Sequence, residues 1–175
     1  MNKLLIVTFP RSGHHLLVGM LQKYFGPEMV YCETYEHCNT IPCPNLTVNV
    51  QKTHDFDLDV AAPDGWKVLV QMREPLPAIV SWYETQVSRY GMEDSRRSWD
   101  EFFAEKMHFY VNFYKKWAHG NHVIFYEELI AEPCYFLRLA VSILIADPNN
   151  KQLRELTQAY HIFHKRNFLA FKYLR

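Results

Sequence analysis

Residues 8–15 read TFPRSGHH, setting an arginine, a serine, a glycine and two histidines between the apolar run Leu4-Leu5-Ile6-Val7 and the apolar stretch Leu16-Leu17-Val18. Those types in that order suit anion binding. The N–H groups that open a helix are unpaired and sum to about half a positive charge, so a loop that wraps into a helix start is a ready anion seat. Gly13 lets backbone approach a ligand closely, Ser12 can cap or donate, and Arg11 adds a fixed cation. An ordinary capped helix with an exposed arginine would show the same octet. A second chemistry-bearing residue is His54, which titrates near working pH and could take a proton from a hydroxyl. In a chain with nine histidines, a surface or capping histidine is its plain alternative.

The octet is not a nucleotide triphosphate loop. That motif needs G-x-x-x-x-G-K-[ST], in which the lysine reaches the terminal phosphates and the hydroxyl binds magnesium. Here the first glycine is absent, and His14-His15 stand where Lys-Ser/Thr would be. No buried strand ends in an aspartate for the metal either, since the run 66–72 ends in Gln-Met-Arg. Phosphoryl transfer needs metal because several negative charges crowd the moving group; a sulfuryl group brings one, and arginine with backbone donors can suffice. No metal is therefore expected, and a small P-loop kinase is disfavoured.

At this point the chain resembles the sulfotransferases that use 3′-phosphoadenosine 5′-phosphosulfate (PAPS). Thr8-Phe9-Pro10-Arg11-Ser12-Gly13 is similar to the family's T-[YF]-P-[KR]-S-G-T-T loop, with His14 and His15 departing from the two threonines. The stretch REPLPAIVSWY, with Arg73, Pro75, Ser81 and Tyr83, resembles the family's R-x-P-x-x-x-x-x-S-x-Y segment. Gln51-Lys52-Thr53-His54 resembles its K-[TS]-H element, and Val123 to Leu129 resembles its V-x-x-Y-E-[DE]-L strand. The resemblance implies that residues 11–15 grip the 5′-phosphosulfate and that Arg73 and Ser81 bind the 3′-phosphate. It further implies that Tyr126 and Phe163 lie by the adenine. It implies catalytic roles for His54 as base, Lys52 at the bridging oxygen of the leaving group, and Arg11 at the sulfuryl oxygens. Glu33 or Glu36 would stand in for His54 in the manner of some carbohydrate-directed relatives. The acceptor would be a small molecule, sugar or lipid, with Tyr31, Tyr35, His37, Trp82, Tyr83 and Tyr90 as candidate pocket residues. The alternative is a non-catalytic binder of PAPS or its bisphosphate product.

The chain departs from the family in length. It also ends in Lys165-Arg166 and Phe171 to Arg175 without the basic glycine loop that closes over the 3′-phosphate in many members. An open site or one completed in an oligomer follows as an expectation.

Several elements must position these residues. Leu4 to Phe9 reads as a strand covered on both faces, and Leu16, Leu17, Met20, Leu21, Tyr24 and Phe25 recur at helical spacing from Ser12 until Gly26-Pro27. Residues 28–45 read as a short strand and surface loops, 46–52 as a strand, and 66–72 as a buried strand. Pro75 and Pro77 suit the first turn of a helix to about Tyr90. A helix over 99–117, a strand over 122–126 and helices near 133–146 and 149–161 complete the chain. Alternating strands and helices predict one α/β domain over 1–175, a three-layer P-loop-type parallel sheet flanked by helices, with ligands beyond the strands' carboxyl ends.

Composition limits the partners. Of 175 residues 49% are hydrophobic, enough for one core, and net charge is +0, so no basic field attracts nucleic acid or an anionic membrane. No apolar run approaches the roughly 20 residues of a membrane span. The N-terminus lacks the pattern of a secretory signal, which predicts a cytoplasmic setting. Cys32, Cys38 and Cys43 crowd one segment beside His37, which makes a zinc clip conceivable, but their spacings of six and five residues are not those of common zinc sites, so reduced thiols are the main expectation.

Overall fold

The structure is a computed structural model and describes residues 1–158. Five strands form one all-parallel sheet: β1 (Leu4–Thr8), β2 (Tyr31–Glu33), β3 (Val50–Thr53), β4 (Lys67–Met72) and β5 (His122–Phe125). Their spatial order is β2-β3-β1-β4-β5. The chain leaves β1 for β2 on one side, and after β3 it crosses to β4 on the other, so the order reverses at β1. That reversal opens a crevice at the carboxyl end of β1, where open α/β sheets hold ligands.

Helices cover both faces: α1 (His14–Phe25), α2 (Pro75–Tyr90), α3 (Arg96–Trp117), α4 (Tyr126–Ala131) and α5 (Pro133–Leu144), with a further helical stretch over 150–158. The alternation of β1 divides the core in two. Leu4 and Ile6 join Leu17, Leu21, Leu137 and Val141 under α1 and α5. Leu5 and Val7 join Phe9, Ile79, Phe102 and Phe113 under α2 and α3. The first half is mainly aliphatic. The second is aromatic, and all four tryptophans of the chain pack in or against it. Phe9 is its hub, with ring centroids 4.9–5.9 Å from Trp82, Phe109, Tyr110 and Phe113.

The structure corrects several expected boundaries. The strand read over 46–52 is Val50–Thr53, because Leu46 is exposed and residues 45–48 turn on the Asn45 side chain. The first helix begins at His14 rather than Ser12. Its N-cap is Gly13 in the left-handed region at φ 74°, and Ser12 caps nothing. The helix read from Trp99 starts at Arg96, because Ser95 Oγ accepts from the N–H of Ser98 and caps it. Tyr126 does not end β5 but opens α4, where the Glu128 carboxylate accepts from the Phe125 N–H. The expected helix to 161 is described as far as 158.

Candidate functional site

The segments that follow β1, β3 and β4, together with α2 and the start of α4, enclose a cleft of about 650 Å³ at the carboxyl end of the sheet. Eight of the expected binding and catalytic residues line it, Arg11, Gly13, His14, His15, His54, Arg73, Ser81 and Tyr126, as do the alternative bases Glu33 and Glu36 at and after the end of β2. Ser12 and Lys52 lie fully buried behind that lining. Phe163 and the basic tail fall outside the described residues.

The β1–α1 loop is held by backbone strain and by one buried amide. Arg11 takes φ 66°, unusual for a residue with a side chain, and Gly13 takes φ 74°. The Gln71 amide donates to the Ser12 carbonyl at 2.8 Å, tying the loop to β4. Glycine is required at 13 on a second ground: a Cβ there would collide with the ring of Tyr126, which lies against the loop. The Arg73 guanidinium sits 5.1 Å from the centroid of that ring, and its Nε is 3.6 Å from Glu127 Oε1. Arg11 Nε donates to Ser81 Oγ at 3.1 Å, so loop and helix α2 meet across the cleft. No side chain caps α1; the Leu16 N–H donates to the Gly13 carbonyl at 3.0 Å, which leaves the N–H groups of His14 and His15 to the cleft.

A buried polar relay runs beside this anion seat. Lys52 and Glu33 are register partners on β3 and β2, so their side chains share a face, and Lys52 Nζ donates to Glu33 Oε1 at 2.6 Å. Glu33 also accepts from the Tyr31 hydroxyl at 2.9 Å and stands 3.4 Å from His14 Nε2. Lys52 Nζ is 2.6 Å from His54 Nε2, while His54 Nδ1 is 2.9 Å from the Thr8 carbonyl. A carbonyl only accepts and an ammonium only donates, so the partners assign the proton to Nδ1 and leave the lone pair on Nε2.

Electrostatics follow from burial. Desolvation, reinforced by the Lys52 charge, lowers His54 to about 4 and His14 to about 3, so both rings are neutral at neutral pH. Burial lowers Lys52 against the pull of Glu33. Burial alone would raise Glu33, but the hydrogen bond and charge of Lys52 and the Tyr31 hydroxyl overcome it and hold the carboxyl at about 2. Glu33 is therefore a poor base and a good counter-ion. His14, His15 and Glu33 bring ligand atoms within 4.8 Å of one another, the spread of a metal site, yet Glu33 Oε1 already carries the Lys52 ammonium.

Of the candidate pocket residues, Trp82 and Tyr90 line the cleft, Tyr83 packs in the aromatic core, and His37 accepts from the Glu33 N–H. Phe56, Arg89 and Gln71 belong to the site and its support without having been read from sequence. Gln71 left a signal, a polar residue inside the apolar run Val68 to Met72. Phe56 and Arg89 left none.

Sheet order, crevice and loop together define an α/β protein with a sulfotransferase-like fold. Among solved structures, the chain is similar to mouse sulfotransferase SULT7A1 complexed with PAP, with a TM-score of 0.63 at 14% identity. The match covers 90% of this chain and 64% of the mouse chain, so this chain spans less than two thirds of that protein. No family model and no curated protein matches the sequence.

Proposed function

We propose that the protein is a sulfotransferase that moves a sulfuryl group from PAPS to an acceptor hydroxyl or amine. What supports the reading best is where unsatisfied polar atoms fall. Ser12 Oγ, His14 Nε2, Gln71 Oε1 and Arg73 Nε are buried without a hydrogen-bond partner, all on the β1–α1 segment or at the end of β4. His14 Nε2 and Arg73 Nε face the carboxylates of Glu33 and Glu127 at 3.4 and 3.6 Å without making a hydrogen bond, and an unpaired buried polar atom costs about 1–3 kcal/mol where most such groups in folded proteins are paired. Ser12 Oγ, Arg73 Nε and one tautomer of His14 can donate, which is the set a phosphosulfate and a second phosphate would use.

In the proposed step the acceptor oxygen attacks sulfur as the bridging sulfur–oxygen bond breaks in line. Arg11 and the first-turn N–H groups of α1 neutralise the sulfuryl oxygens, and Arg73 and Ser81 take the 3′-phosphate. The acceptor proton passes to His54 Nε2, and Lys52 stabilises charge on the departing oxygen. Lys52 must leave Nε2 for this to happen, so its turn toward the leaving group would free the base. Phe56, Trp82 and Tyr90 offer apolar surface for a sugar, lipid or phenol acceptor.

Binding without turnover is the second reading, favoured by the 2.6 Å contact that occupies Nε2. Calorimetric titration with adenosine 3′,5′-bisphosphate, beside magnesium-ATP and 5′-AMP, tests both. Micromolar binding lost in Arg73→Ala and much weaker for 5′-AMP is expected, followed by turnover of labelled PAPS in an acceptor screen. Absence of bisphosphate binding would overturn the sulfotransferase reading, and binding with no turnover on any acceptor would favour the sensor.

A further inference from the structure

The connection from β2 to β3, residues 34–49, has little regular structure, and connections beyond about 12–15 residues without their own elements are uncommon in compact domains unless functional. It carries a sulfur cluster. Cys32 is buried on β2, Cys38 and Cys43 are half-buried in the connection, and their Sγ atoms all lie within 4.8 Å of one another. Sγ of Cys32 and Cys38 are 2.9 Å apart. The fourth cysteine, Cys134 on α5, stands outside the cluster.

Groups other than the sulfurs build this cluster. Gln51, fully buried, is the register partner of Cys32 on β3. Its Oε1 accepts from the Cys43 N–H at 2.8 Å, and its Nε2 donates to the Thr34 hydroxyl at 2.9 Å and the Thr40 carbonyl at 2.8 Å. The same Nε2 reaches Cys38 Sγ at 3.4 Å. One amide thus fixes the backbone on which Cys38 and Cys43 stand, as outer-shell partners fix ligands around metals.

We propose that Cys32, Cys38 and Cys43 bind a zinc ion as three thiolates, with the fourth position taken by a non-protein ligand. Tetrahedral bonds of about 2.3 Å put the sulfurs about 3.8 Å apart, inside the 4.8 Å that encloses all three but wider than the 2.9 Å between Cys32 and Cys38, so binding moves that pair of thiolates apart by about 0.9 Å. Three soft donors select zinc or copper(I) over hard cations, and Cys38 and Cys43 are only partly buried, so the fourth ligand that zinc requires would come from the solvent side. Among the described residues no further histidine or carboxylate joins the three. Binding forms three zinc–sulfur bonds and releases the thiol protons to water, so affinity falls as pH falls. Spacings of six and five residues hid the site, because the fold rather than the sequence interval brings the sulfurs together. The ion would clamp edge strand β2 to its connection. It lies on the sheet face opposite the Glu33–Lys52 pair, since neighbouring residues of a strand point to opposite faces.

The full chain, purified without chelator and dialysed, is assayed by elemental mass spectrometry, with cobalt(II) exchanged in as the optical probe. The expected result is about one zinc per chain and a thiolate-to-cobalt charge-transfer band, with zinc content reduced at least about tenfold in Cys38→Ser and in Cys43→Ser and unchanged in Cys134→Ser. Thiol labelling of folded wild type should find Cys134 reactive and the other three protected until chelator is added. Less than about 0.1 zinc per chain after zinc supplementation and no cobalt band in wild type would overturn the proposal. So would copper(I) in place of zinc, or a chain lighter by two hydrogens from a Cys32–Cys38 disulfide.

Discussion

Replacing Glu33 by glutamine removes the counter-ion of a fully buried lysine while keeping shape. Glu33 is 6% exposed and Lys52 0%. The fall of the Glu33 carboxyl from its ordinary 4.5 to about 2, while burial lowers Lys52, sets at about 1.4 kcal/mol per pH unit an upper bound of about 3 kcal/mol on what the ionised pair contributes. That agrees with the roughly 3–5 kcal/mol lost when one partner of a buried pair is removed. At about 2–4 °C per kcal/mol for a domain of this size, Glu33→Gln should melt roughly 6–12 °C below wild type at pH 7. The pH dependence has a fixed sign. A carboxyl depressed in the folded state contributes fully above 4.5 and loses that contribution as pH falls toward 2, so the gap between wild type and variant should close across that window. Adding Lys52→Met should restore part of the loss, because it removes the buried ammonium that Glu33→Gln leaves without a counter-ion. Thermal melts of the three proteins at pH 7 and pH 3, followed by circular dichroism, read all of this. A single variant within about 0.5 kcal/mol of wild type, or a double variant worse than the single, would refute the charge-pair account.

Three further outcomes follow from the site. Arg11→Ala and His54→Ala should each lower sulfuryl-transfer turnover at least ~10²-fold, the usual cost of one preorganised donor, and near-wild-type turnover in either removes that residue's role. Gly13→Ala should cost about 1–2 kcal/mol for the left-handed backbone alone, and the contact with Tyr126 should persist as weakened bisphosphate binding that Tyr126→Ala partly restores. With His54 lowered to about 4, a neutral base survives acidification, so kcat/KM should stay flat to about pH 5 and fall near 4; an inflection near ~6.5 would show an unperturbed ring.

What the sequence revealed and what it hid divide along a physical line. β1 and β4 were legible because strands covered on both faces read as largely apolar runs, broken in β4 only by Lys67 and Gln71, and Leu4 to Val7 and Leu69, Val70 and Met72 are fully buried. The loop was legible because its residues are contiguous. The start of α4 at Tyr126 was not, since nothing in Val123 to Glu128 separates a strand end from a helix opened by a glutamate reaching back to Phe125. Glu33 was named only as a substitute base. Its partners Lys52, Tyr31 and His14 come from three elements, and only pairing of β2 with β3 aligns Glu33 with Lys52. The crowding of Cys32, Cys38 and Cys43 was legible, but not that their sulfurs converge, since that depends on Gln51 of another strand holding Cys43 and Cys38.

The lopsided core makes the molecule half dark to fluorescence. Trp66, Trp82, Trp99 and Trp117 all belong to the α2–α3 side, and Trp82 also borders the cleft. Indole emission will therefore register ligand entry and loosening of that half alone. Melting of the aliphatic half under α1 and α5 can reach the emission only through the shared sheet. Coincident fluorescence and dichroism transitions would then measure how tightly five short strands couple two chemically different interiors.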